Sequence, residues 1–181
     1  RPTWRECYPF QLDLPRWQGE PLEGKSLFVH DEQGFGDTLQ FMRYLPVLKA
    51  MGARILFETR HPLVRLCRHN RIADEVFERG EKASVPHGSD FAIPLMSIPG
   101  RLQHSIGQIP KNVPYLRPSS SAVPQSRRLL SPDRPKVGLI WSGRPTRAIE
   151  APGLRGRSCG LAALKPLVEA HPEIDFIGLQ M

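Results

Sequence analysis

Residues 26–52, SLFVHDEQGFGDTLQFMRYLPVLKAMG, decide the fold. The apolar run Leu27-Phe28-Val29 leads into the glycine loop Gln33-Gly34-Phe35-Gly36-Asp37. Apolar residues then recur at Leu39, Met42, Leu45 and Leu48. Spacings of three belong to one helical face. In α/β proteins a strand, a tight glycine turn and a helix start, in that order, aim backbone N–H groups and a carboxylate at a ligand. The stretch predicts a strand over 26–31 and a helix over 37–50, with Gly52 ending it.

The alternation continues outward. Arg54–Glu58 is a second strand, Pro62 sits in the first turn of a helix running to about Asn70, and weaker strands fall near 75–77 and 91–94. Strands alternating with helices predict an α/β fold with a Rossmann-like parallel sheet and right-handed crossovers. Upstream, residues 1–25 carry Trp4, Tyr8, Phe10 and Trp17 among prolines, an extended lead-in pinned to the next domain by its aromatics. Downstream, residues 117–135, RPSSSAVPQSRRLLSPDRP, read as a linker with a short helix around 124–130. A new strand starts at Lys136-Val137-Gly138-Leu139-Ile140-Trp141. A basic loop over 142–158, a helix over 161–170 and a strand over 175–178 follow. The expected organisation is a lead-in (1–25), a Rossmann-like domain (26–116), a linker (117–135) and the start of a second domain (136–181). One βαβ unit cannot bury both faces of its sheet alone. The chain is therefore expected to be a piece of a longer protein, prone to self-association through open strand edges.

Composition narrows the partners. The formal net charge of +7 and the pI near 9.8 favour anionic ligands: nucleotide-sugar phosphates, nucleic acid or a membrane surface. No apolar run reaches the roughly 20 residues of a membrane helix, so no membrane span is expected. Cys7, Cys67 and Cys159 form neither a metal signature nor a disulfide framework, which makes a reducing cytoplasm the default location. Arg127-Arg128 has no helix-turn-helix, RNA-binding aromatic pair or zinc cluster beside it, so nucleic acid is not expected as a partner.

Two constellations carry chemistry. Gly34 and Gly36 open a dinucleotide fingerprint, but Leu39 stands where its third glycine belongs, and Glu58 alone at the end of the second strand does not rescue an NAD site. What remains is a turn in which Gly34 and Gly36 let a ligand approach the backbone and Asp37 acts as general base or substrate anchor. Alternatively, the glycines only make the turn and Asp37 caps the helix. His30 and Asp31 end the same strand, and His30 reads as a binding residue or a structural hydrogen-bonding one. The second constellation is Trp141-Ser142-Gly143-Arg144 with Arg147, Arg155, Arg157 and Ser158, four arginines in one strand-to-helix loop. Guanidinium forks and a following helix N-terminus suit a diphosphate; the plain alternative is a solvated basic loop. Phe41, Met42 and Tyr44 read as core.

HDEQGFGDTLQFMRYLPVLKAMGAR, followed by PYLRP and then by VGLIWSG with GRSCGLAAL, resembles the glycosyltransferase-like region of bacterial tetratricopeptide-repeat proteins. That region is similar to lipopolysaccharide heptosyltransferases and, more distantly, to O-linked N-acetylglucosamine transferases. The resemblance spans about residues 17–181 and implies a GT-B architecture of two facing Rossmann-like domains. The first domain would bind the acceptor, a saccharide or a protein, and the second the nucleotide-sugar donor, with no metal and no cofactor. It implies Asp37 as the base and Ser142, Gly143, Arg157 and Ser158 around the donor phosphates, to which the arginine-loop reading adds Arg144 as a binding residue. Between Gly143 and Arg157 the chain carries RPTRAIEAPGLRG, where relatives usually show a shorter stretch with Asn and Asp. The expected function is half of an inverting glycosyltransferase, inactive as an isolated chain. The alternative is a non-catalytic carbohydrate- or protein-binding module.

Overall fold

The computed structural model describes residues 11–81, 84–119, 132–142 and 158–179. The chain divides into two units, Arg1–Ala122 and Val123–Met181. In the first unit β1 (Ser26–His30), β2 (Arg54–Thr59), β3 (Glu75–Glu78) and β4 (Phe91–Pro94) form one sheet in the order β3-β2-β1-β4, every neighbouring pair parallel. This is the expected α/β, Rossmann-like sheet.

Alternation along the strands sorts its two faces. Leu27, Val29, Ile55, Phe57, Val76 and Ile93 point to one side and enter the main core with Met42, Leu45, Leu48, Leu63, Val64 and Cys67. Those partners come from the 3₁₀ turn Met42–Tyr44, α2 (Leu45–Ala50) and α3 (His61–His69), while Leu39 and Phe41 of α1 (Phe35–Phe41) pack against them half-buried. The predicted single helix over 37–50 is therefore three pieces. Pro46 lies in the first turn of α2, and a proline there lacks the N–H that an unbroken helix needs. Phe28, Leu56 and Ala92 face the other side, where Leu12 and Leu14 of the lead-in and Phe77 pack on them. The lead-in also pairs with β4: Trp17 N donates to Ala92 O at 2.9 Å, and Ala92 N donates to Pro15 O at 2.9 Å. Trp17 is buried, its Nε1 donating to Glu20 O at 2.8 Å.

After β4 come a 3₁₀ turn (Leu95–Ser97) and α4 (Ile98–Arg101). In the second unit β5 (Lys136–Leu139) pairs parallel with β6 (Asp175–Gly178) through a crossover containing a 3₁₀ turn (Leu161–Leu164) and α5 (Lys165–Ala170). The expected short helix at 124–130 lies outside the described residues. Among the described residues no helix is long and apolar enough to cross a membrane.

Candidate functional site

Parallel strands deliver their carboxyl ends to one edge of the sheet, and in the order β3-β2-β1-β4 the chain changes direction between β1 and β4. That switch point is where loops diverge and leave a crevice for ligands. The glycine turn 31–36 occupies it.

The turn rests on a buried ionic cluster. Asp31 has no solvent exposure. Its Oδ2 accepts from Thr59 Oγ1 at 2.8 Å, Thr38 Oγ1 at 3.2 Å and Arg60 N at 3.4 Å. The Arg79 guanidinium, arriving from the end of β3, donates to Asp31 Oδ1 and to its carbonyl, and Arg79 Nε lies 3.5 Å from Glu58 Oε1. Arg60 Nε stands 3.6 Å from Asp31 Oδ2, with its guanidinium 4.4 Å from the centre of the Phe35 ring. Two carboxylates and two guanidiniums thus tie the ends of β1, β2 and β3 together beneath the turn. A buried carboxylate persists only with such partners. His30 is Glu58's neighbour across the β1–β2 ladder. Burial, helped by Arg79, pushes its imidazole down to about 3, so it is neutral at ordinary pH.

Above this base the turn carries Gln33 at a φ of 31°, a left-handed conformation a non-glycine residue rarely adopts. Gly34 N-caps α1, and its N–H donates to Asp37 Oδ2 at 2.9 Å. A Cβ on Gly34 would stand 3.1 Å from that oxygen, so any larger residue there would press on the Asp37 carboxylate. At Gly36 a Cβ would meet nothing within 4 Å, and the space over the helix start is open. On the other wall Glu32 Oε1 accepts from Met96 N at 3.1 Å, and Arg16 Nη2 donates to Ser97 Oγ at 3.0 Å. Burial raises the Glu32 carboxyl above the usual range, against the lowering pull of the Met96 N–H.

His30, Gly34, Gly36 and Asp37 therefore share one sheet edge, with His30 beneath the turn and the other three in it. In the second unit Ser142 and Ser158 come together at the carboxyl end of β5, Ser142 Oγ lying 3.3 Å from Ser158 Oγ. Gly143, Arg144 and Arg157 lie outside the described residues. Reading the sequence left out Glu32, Arg60 and Arg79 and gave Asp31 no role. Asp31 and Glu58 were visible as acids ending strands, but Arg79 follows a short, weakly patterned strand and has no local signature. Among the described residues no group of three or more His, Cys, Asp or Glu side chains could hold a metal ion.

Comparison with known proteins adds one similarity. The chain is 28% identical to Protein FlbA of Caulobacter vibrioides over 211 aligned positions, which take in 99% of this chain and 32% of FlbA. It thus spans about a third of that relative's length. No family model matches the chain. No solved structure matches it.

Proposed function

We propose that this chain is the acceptor-side part of an inverting, metal-independent GT-B glycosyltransferase, followed by the start of its donor-side part. The acceptor lies at the glycine turn, and its hydroxyl proton passes to Asp37. The oxygen attacks the anomeric carbon of a nucleotide-sugar, the bond from that carbon to the diphosphate breaks, and the electron pair leaves with the nucleoside diphosphate. Ser142, Gly143, Arg144, Arg157 and Ser158 hold the diphosphate and offset its growing charge. The observation that carries this reading is the position of Gly34-Phe35-Gly36-Asp37 at the switch point of a parallel sheet, with open space above Gly36.

A second reading has its own observation. Asp37 Oδ2 already serves as a helix cap, as it would in a carbohydrate- or protein-binding module without catalysis. Asp37→Asn separates the two, because Asn keeps the capping oxygen and loses the base. In the full-length protein, turnover with a nucleotide-sugar donor is expected to fall by about two orders of magnitude or more with little change in melting temperature. Near-normal turnover would reduce Asp37 to a cap. Saturable saccharide binding without any transfer by the wild type would establish the binding module.

A further inference from the structure

We propose that a cavity at the carboxyl end of α1 is a docking site for an acidic protein segment and seats one tyrosine side chain of that partner. The glycine turn lies at the other end of α1, and the inference stands independently of the transferase reading.

Two stretches of chain build the cavity. Phe41, Arg43 and Tyr44 come from the end of α1 and the 3₁₀ turn after it; His104, Ile106 and Ile109 come from beyond α4, where a further 3₁₀ turn (Ile106–Gln108) lies. Arg43 straps the second stretch to the first. Its Nε donates to Gln40 O at 2.8 Å, its Nη1 to Pro110 O at 3.5 Å, and its guanidinium lies 5.1 Å from the centre of the Tyr115 ring. The Tyr115 hydroxyl in turn donates to Leu39 O. The cavity measures about 180 Å³. An apolar cavity of roughly 150 Å³ takes a benzene ring, so one aromatic side chain fits here.

The walls select the anchor. Phe41 and Tyr44 stack with ring centres 6.5 Å apart, and the His104 ring is 5.8 Å from that of Tyr44. A further ring extends such a stack. His104 Nδ1 is buried with no partner among the described residues, so Nε2 is the ring nitrogen a ligand can reach. A phenol hydroxyl both donates and accepts, and it pairs with Nε2 in either tautomer.

The rim selects the partner. Ile106 is 86% exposed, and Val113, on the same strapped segment, is 68% exposed. A small aromatic molecule would fill the cavity and leave both in water, whereas a polypeptide covers them. Apolar groups around a pocket mark such contacts, and tyrosine is a common anchor for them. Charge supplies the sign. Residues 38–44 and 95–115, which build the cavity and its rim, include no Asp or Glu, while Arg43 and Lys111 stand on them. Neither cation has an ion-pair partner among the described residues. An acidic segment meets both.

Short synthetic peptides with one tyrosine between Asp and Glu flanks are the probe, titrated into the full-length protein by calorimetry. Beside them go the forms with phenylalanine or alanine for the tyrosine, the form with lysine flanks, and p-cresol as the side chain alone. Saturable binding of the acidic tyrosine peptide is expected, falling as salt rises. Affinity should drop about ten-fold or more with the alanine form, and likewise with Ile106→Glu and with Lys111→Glu. Both substituted side chains are exposed, so the fold is preserved, and either variant carries the test should the other fail to fold. No saturable binding overturns the proposal, as does equal affinity for the phenylalanine, alanine or lysine-flanked form. So does p-cresol binding as tightly as the peptide, or unchanged affinity in both variants.

Discussion

Asp31 is held by charge and hydrogen bonding together, and that makes the cluster beneath the turn sensitive to losing a single member. Arg79→Met leaves Asp31 and Glu58 buried with one guanidinium, Arg60, still beside Asp31. Removing one partner of a buried ion pair typically costs about 3–5 kcal/mol, because the remaining charge stays desolvated. Urea unfolding should show a loss of that order for Arg79→Met, and Asp31→Asn in the same background should recover part of it. Additive losses in the double variant would mean the two side chains do not depend on each other. His30 supplies a pH dependence with a definite sign. Its folded pKa, lowered to about 3, lies below the ordinary value of 6.5, so below pH 6.5 the unfolded chain binds a proton that the folded chain refuses. Stability is retained in full above pH 6.5 and falls as pH drops toward 3, by up to about 1.4 kcal/mol per unit. His30→Gln should flatten the difference between pH 6.5 and 5 in urea melts. An unchanged slope would show that His30 titrates in the folded protein.

The elements themselves offer a sharper contrast between two glycines. Gly36 lies inside α1 with open space around it, so Gly36→Ala should stabilise the protein by about 0.5–1 kcal/mol through helix propensity. Gly52 ends α2 at a φ of 88°, and a Cβ there would stand 2.8 Å from Glu23 Cα, so Gly52→Ala should destabilise by about 1–3 kcal/mol. Thermal melts of the pair decide this. If Gly36→Ala gains stability yet weakens saccharide binding, the space above the turn is ligand space. Equal destabilisation by both would place Gly36 among the merely structural glycines. The same elements show what the residues disclosed. The strands at 26, 54, 75, 91, 136 and 175 were legible because apolar residues run between turn signals, and Gly52 announced its own helix end. The break at Met42–Tyr44 was harder to see, since the three-residue apolar spacing runs through it and only Pro46 marks it. The ionic cluster was illegible because its members lie up to 48 positions apart and meet only when parallel strands align their carboxyl ends. Nothing in the spacing of Arg79 and Asp31 encodes that meeting.

At the scale of the whole molecule the two units differ in how well their strands are covered. In the first, β1 and β2 have helices on one face and Leu12, Leu14 and Phe77 on the other, so Leu27, Phe28, Ile55 and Phe57 are all but sealed from water. In the second, Val137 of β5 is 37% exposed, and Leu161 and Leu179 are 56% and 60% exposed. Amides protected by a sealed core open only with global unfolding, whereas those on a thinly covered sheet open locally at much lower cost. Native-state hydrogen exchange should therefore show its slowest amides in β1 and β2 and fast exchange in β5 and β6. Exposed apolar strand surfaces also invite pairing with another chain, so the 181-residue chain should sediment with a weight that rises with concentration. In that case protection of β5 and β6 should rise in parallel, because the same surface is being covered. Uniformly strong protection in both units at a concentration where the chain is monomeric would show that the second unit is closed by its own residues, and the expectation of self-association would fall with it.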